Sequence, residues 1–334
     1  MKTHPWLHAS KAKLQASPAG ERRFAGDAFG MSVHFGLYST GAEPEWTQSL
    51  KNLPTEEYAV RMDRFNPEGF DADRWIELAV GAGARAFMVT TKHHDGFCLF
   101  DSRHTDFKST CAPIERDLVG ELAEACHRRD VSLHLYHSLI DWHHPMASGP
   151  DFGPPHDFKG YCGYLLAQVE ELCRNYGPVA GMLFDGWWPA AKASVDQTNV
   201  ARNDPWPLTE LYDLIHRLQP DAMITNNHHV LPLPGEDYQV WEIDMPGENT
   251  TGFNCTEIGD KAKMAWITST ANAWCWQRNR DDYKTAAEVA ARLAKCREIG
   301  ATMFLNVGPM GDGEMNPREI EILEGLPRAR KLGR

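Results

Sequence analysis

The feature that most constrains this chain is a repeated alternation. Short apolar runs without period-two patterning are each followed by a stretch whose apolar residues recur at helical spacing. The run 179–184 reads Val-Ala-Gly-Met-Leu-Phe, a composition that suits a strand covered on both faces, as in a parallel sheet. Similar runs predict strands over 29–36, 86–91, 131–138, 222–227, 237–242 and 301–307, with 273–276 as a short seventh strand and 263–270 ambiguous. Helical spacing predicts helices over 70–79, 118–127, 160–176, 207–218 and 285–299, the first with an Asp-rich start that suits a cap. About eight strands alternating with helices indicate a (β/α)8 TIM-like barrel spanning 1–334 as one catalytic domain. No linker, low-complexity run or internal repeat divides the chain.

In such a barrel, function gathers where the strands end. The predicted ends carry His34, His93-His94, Tyr136-His137, Asp185, His228 and Glu242. Two acids among histidines and aromatics suit glycoside hydrolysis, where one carboxylate attacks and the other donates and then accepts a proton. His34, His93, His94, His137 and His228 would hydrogen-bond sugar hydroxyls, because a neutral imidazole both donates and accepts. Trp187 and Trp188, just after Asp185, offer flat faces to the apolar side of a sugar ring.

Each residue also has a plainer explanation. Asp185 could cap the following helix, Glu242 could be a surface acid, and Trp187, Trp188 and Trp241 could be core aromatics. His93 and His94 are adjacent, so on a strand they point to opposite sides, and Asp95-Gly96 reads as a turn. A metal-dependent hydrolase using His93, Asp95 and His228 is a further reading of the same residues.

The formal net charge of −12 argues against a nucleic-acid or anionic-membrane partner, since no basic run is present to neutralise phosphates. The eight cysteines form no CxxC pair and the chain's start lacks an apolar signal core, so the thiols are expected to be reduced and the protein cytoplasmic. No stretch approaches the roughly 18 apolar residues that span a bilayer.

Taken together these segments resemble glycoside hydrolase family 29, the retaining α-L-fucosidases. The resemblance runs from Gly30 to Gly313 and is most specific over 90–102, Thr-Thr-Lys-His-His-Asp-Gly-Phe-Cys-Leu-Phe-Asp-Ser. Further matching stretches are 30–39, Glu45-Trp46, 135–138 with Asp141-Trp142, 184–186, and 305–309 with Asp312-Gly313. The resemblance implies that Asp185 is the nucleophile and that His34, Glu45, Trp46, His93, His94 and Tyr136 hold the fucose hydroxyls and methyl face. For the acid/base it points to the segment 235–249, where Glu242 is chosen because it ends a predicted strand and Glu248 is the second choice.

Where the family often has Arg after a pair of asparagines this chain has His228, and its usual Ser-Trp-Gly-Tyr appears as Ala273-Trp274-Cys275-Trp276. A barrel without the β-sandwich many members carry is expected, with self-association into a homo-oligomer to cover the exposed face. The expectation is a metal- and cofactor-independent exo-α-L-fucosidase that removes terminal fucose from fucosylated oligosaccharides or glycosides by double displacement. Beside it stands a fucose-binding protein that has lost turnover.

Overall fold

The computed structural model describes residues 8–145, 157–189, 206–259 and 263–332. Eight strands run β1 (Phe29–Val33), β2 (Ala86–Lys92), β3 (Ser132–Ser138), β4 (Gly181–Asp185), β5 (Met223–Asn226), β6 (Gln239–Glu242), β7 (Met264–Ser269) and β8 (Thr302–Val307). Every registered pair is parallel, in the order β5-β4-β3-β2-β1-β8-β7-β6. The two end strands meet through a side chain. Asp237 donates its N–H to the Ile224 carbonyl at 2.7 Å, and its Oδ2 accepts the Ile224 N–H at 2.7 Å. Thr225 Oγ1 adds a bond to the Tyr238 carbonyl at 2.8 Å. The result is a nearly closed (β/α)8 barrel, as the alternation of elements predicts.

Five short or peripheral helices are α1 (Pro18–Asp27), α2 (Leu37–Gly41), α3 (Thr47–Leu50), α4 (Thr55–Ala59) and the closing α10 (Pro317–Leu332). The crossover helices are α5 (Ala72–Gly81), α6 (Leu118–Arg128), α7 (Phe158–Asn175), α8 (Leu208–Leu218) and α9 (Ala286–Glu298). Their starts follow the local chemistry. Asp71 caps α5 by accepting the Arg74 N–H, and Thr285 with Glu288 forms a reciprocal capping box on α9.

One strand lies elsewhere than expected. The seventh is 264–269 and not 273–276: Met-Ala-Trp-Ile-Thr-Ser is buried throughout and registers against both β6 and β8. The later stretch makes only an isolated bridge between Ala271 and Ala273. Among the described residues the β6–β7 connection also carries no helix, unlike the crossovers covered by α5 to α9.

Strand alternation divides the core in two. Ala86, Met88, Tyr136, Leu183, Val240, Ala265, Ile267 and Phe304 cluster together, joined by Phe24 of α1. Their strand neighbours Phe87, Val89, Leu135, Met182, Phe184 and Trp241 belong to the larger cluster with the helices. Counting by twos from Leu183 places Asp185 on the barrel's inner face, and counting from Val240 does the same for Glu242.

Candidate active site

The inward residues at the strand ends open into a cavity of about 340 Å³. Its polar lining comes from His34 after β1, Glu45, His93 after β2, Tyr136 on β3, Asp185 on β4, Asn227 and His229 after β5, and Glu242 on β6. Trp46, Trp188, Phe253 and Trp274 supply its aromatic walls.

Asp185 sits at the centre of the polar bonds. Its Oδ2 accepts from the Tyr136 hydroxyl at 2.8 Å, and its Oδ1 accepts from the Gly186 N–H at 2.9 Å. Gly186 has φ +105°, a region that favours glycine, and this turn brings its own N–H back onto the carboxylate. His94 Nε2 lies 3.6 Å from Oδ2. His94 reaches Asp185 although His93 also lines the cavity, because β2 ends at Lys92 and the two-residue alternation stops with it.

Asn227 ties the two acids together. Its amide nitrogen donates to Glu242 Oε2 at 2.7 Å and to Asp185 Oδ1 at 3.4 Å. One nitrogen touching both keeps those two oxygens within about 6 Å of each other. Burial raises the pKa of Asp185 to about 6, against the hydrogen bonds from Tyr136, Gly186 and Asn227 that lower it. Burial and the nearby Asp185 charge raise Glu242 to about 7. The two groups therefore titrate close to neutrality, with Glu242 holding its proton to the higher pH.

The imidazoles are neutral donors and acceptors here. Burial lowers His34 to about 4, His94 to about 3 and His93 well below its ordinary value. His34 Nδ1 lies 2.7 Å from Asn306 Oδ1, whose amide donates to the Trp274 carbonyl at 2.6 Å, so β8 fixes both the histidine and the indole-bearing loop. His93 Nδ1 has no partner among the described residues and is buried beside the cavity, where a ligand hydroxyl can satisfy it. Glu45 is buried, with its pKa raised by that burial, and its Oε2 lies 3.4 Å from Cys275 Sγ. Trp46 meets His94 edge to face at 5.0 Å and tilts against Trp188 at 5.8 Å.

Four predicted residues lie outside the lining: His94, which stands beside Asp185, and His137, Trp187 and His228. His137 is on the outward face of β3, its Nδ1 2.9 Å from Thr91 Oγ1, because Tyr136 takes the inward position. Trp187 joins the outer core and meets His228 edge to face at 5.7 Å, leaving Trp188 at the cavity. His228 Nδ1 accepts the Val230 N–H at 3.2 Å, so the proton is on Nε2, which donates to Glu236 at 2.9 Å. Its neighbours Asn227 and His229 face the cavity instead, with His229 Nε2 3.8 Å from Glu242 Oε2. Glu248 is exposed and lines a separate depression.

The alternative trio His93, Asp95 and His228 is not assembled. Asp95 accepts from the Tyr58 hydroxyl at 2.9 Å and the Phe97 N–H at 3.1 Å, while His228 is held by Glu236. Among the described residues no three His, Cys, Asp or Glu side chains are grouped to hold a metal ion. Asn227, His229 and Phe253 were not singled out from the sequence as site residues. Asn227 and His229 carried a signal, each standing one position from His228.

Known proteins resemble this chain along most of its length. A putative alpha-L-fucosidase of Caenorhabditis elegans is 26% identical over 328 residues, covering 90% of this chain and 63% of its own length. The tissue alpha-L-fucosidase of Bos taurus is 25% identical, with 86% of this chain and 62% of that protein covered. The chain thus spans somewhat under two thirds of these relatives. Among solved structures, alpha-L-fucosidase isoenzyme 1 from Paenibacillus thiaminolyticus superposes with a TM-score of 0.81 at 31% identity, covering 94% of this chain and 76% of that one. Alpha-L-fucosidase AlfC from Lactobacillus casei, in complex with its fucose product, gives 0.77 at 25% identity, with 94% and 98% covered. The family model for alpha-L-fucosidase matches residues 3–328, and the chain belongs to that family.

Proposed function

We propose that the chain is a retaining exo-α-L-fucosidase in which Asp185 is the nucleophile and Glu242 the acid/base. The observation that carries the reading is a pair of carboxylates, Asp185 buried and Glu242 partly buried, bridged by the Asn227 amide in one cavity. Asp185 acts ionised, its charge held by the Tyr136 hydroxyl and the Gly186 N–H, and it attacks the anomeric carbon. Glu242 acts protonated and gives its proton to the departing oxygen. Once Asp185 is esterified its negative charge is gone, so Glu242 acidifies and can take a proton from the water that releases fucose. His34, His93, His94 and Glu45 hold hydroxyls, while Trp46 and Trp188 meet the apolar side of the ring. The chemistry uses no metal or cofactor.

The surrounding expectations belong to the same reading. The eight cysteines are all free, which supports a reducing, cytoplasmic setting. No helix among the described residues is long and apolar enough to cross a membrane. Self-association is measured directly by light scattering on the eluting protein.

The test is a panel of aryl glycosides with and without a chelator. The expected result is turnover of the α-L-fucoside alone, unchanged by chelation, with the α-anomer of fucose formed first. Asp185→Asn should lower turnover at least about a thousandfold while the fold is kept. Fucose binding without any aryl fucoside turnover would overturn the reading in favour of a binding protein, and a first-formed β-anomer would overturn retention.

A further inference from the structure

Outside the site described, one place gathers three cations that make no ion pair among the described residues. A second cavity of about 640 Å³ adjoins the first and shares Glu45 and Trp274 with it. It lies where the helix-free β6–β7 connection faces α9, with Lys284, Arg292 and Lys295 along its wall. Lys284 is half-buried and donates to the Ser269 carbonyl at 2.7 Å. The Arg292 guanidinium lies 5.6 Å over the Trp266 ring, and its one polar contact among the described residues is Thr268 Oγ1 at 3.5 Å.

No carboxylate among the described residues lies within ion-pair distance of these cations: Glu45 and Glu248 line the same cavity without reaching them, and the other nearby acids hold other partners. Asp282 takes Arg280 through both oxygens at 2.8 and 2.9 Å. Glu288 accepts the Thr285 N–H at 2.7 Å and hydroxyl at 2.8 Å. Asp244 accepts from Thr250, Thr251 and Asn254. Burial, and then Arg292 beside it, lower the pKa of Lys284, against the charges of Asp282 and Glu288 that raise it. Cations that line a cavity without an ion pair of their own are placed to receive an anion from outside.

We propose that this second cavity receives the leaving-group saccharide, and that Lys284 and Arg292 hold an oxyanion on it, a sulfate ester or a carboxylate. The proposal rests on the fucosidase reading. Ile243, the chain neighbour of Glu242, and Trp274 line the second cavity, so a leaving group protonated by Glu242 has it alongside. An Arg fork and a fixed ammonium together suit either oxyanion.

The test compares three fucosylated disaccharides, one neutral, one carrying a sulfate ester and one a uronic acid, with phenyl α-L-fucoside as control. Wild-type kcat/KM should favour at least one anionic saccharide over the neutral one by about tenfold, the scale of a charge-assisted hydrogen bond at a half-exposed site. Which anion is favoured identifies the source. Lys284→Gln/Arg292→Gln should bring the ratio to about one and leave the phenyl fucoside unchanged, and Arg292→Gln alone serves if the double variant folds poorly. Inorganic sulfate should compete with the anionic saccharide and not with the phenyl fucoside. Equal rates for all three saccharides, or a preference that survives the substitutions, overturns the proposal. A phenyl fucoside that wild-type enzyme does not cleave overturns the fucosidase reading instead.

Discussion

Removing the amide that joins the two acids is the most discriminating single perturbation. In Asn227→Ala both carboxylates lose a donor that favours their ionised forms, so both pKa values should rise. A hydrogen bond to a charged group contributes about 1.5–3 kcal/mol, or about one to two pKa units. The contact to Glu242 is 2.7 Å and that to Asp185 is 3.4 Å, so the larger share falls on Glu242. The acid limb of kcat/KM reports Asp185, which must be ionised, and the alkaline limb reports Glu242, which must be protonated. From starting values of about 6 and about 7, the alkaline limb should move up by about one unit and the acid limb by less. The profile thus broadens and its optimum shifts to higher pH. Phenyl α-L-fucoside is the right substrate, since its leaving group needs the proton that an activated aryl group can do without. An unchanged alkaline limb, or one that moves down, would refute the bridging role.

Two further predictions separate neighbouring residues. Glu242→Ala should lose most turnover on a poor leaving group and recover with azide on an activated fucoside, whereas Glu248→Ala, altering an exposed side chain outside the cavity that holds Asp185, should keep wild-type rates on aryl fucosides; azide rescue at position 248 in place of 242 would move the acid/base. Glu236 accepts from His228, the Tyr212 hydroxyl and the Leu233 N–H, and so fixes the turn that presents Asn227 and His229. Glu236→Gln should shift the pH limbs in the same direction as Asn227→Ala, and the double variant should be less affected than the sum of the two; simple additivity would show that Glu236 serves stability alone.

The barrel was legible because its signal is carried by many segments at once. Buried parallel strands need apolar residues on both faces, and 86–91, 179–184 and 301–307 satisfy that need without reference to distant residues. The seventh strand was harder, since 264–269 ends in Thr-Ser and 273–276 is the more aromatic stretch. What decides between them is register against β6 and β8, a long-range property. Strand-end residues still inside the ladder were placed by alternation: Asp185 and Tyr136 face in. The same rule sends His137 out, so its prediction as a ligand of sugar failed on information already in the sequence.

Beyond the last ladder residue the alternation rule lapses and the backbone turns decide. Gly186 at φ +105° and His229 at φ +59° swing the chain, so that Trp188 and not Trp187, and Asn227 with His229 and not His228, meet the cavity. These dihedrals are held by tertiary bonds, such as Glu236 to His228, that no local pattern announces. The consequence for chemistry is an asymmetry between two acids that share one cavity. Asp185 receives the Tyr136 hydroxyl, its neighbour's N–H and part of the Asn227 amide, whereas Glu242 receives the amide and feels the charge of Asp185. Donors aimed at Asp185 favour its charged form, and that charge in turn favours a proton on Glu242. The division into an ionised nucleophile and a protonated acid therefore follows from how the donors are shared, and it reverses when the first step removes the charge from Asp185.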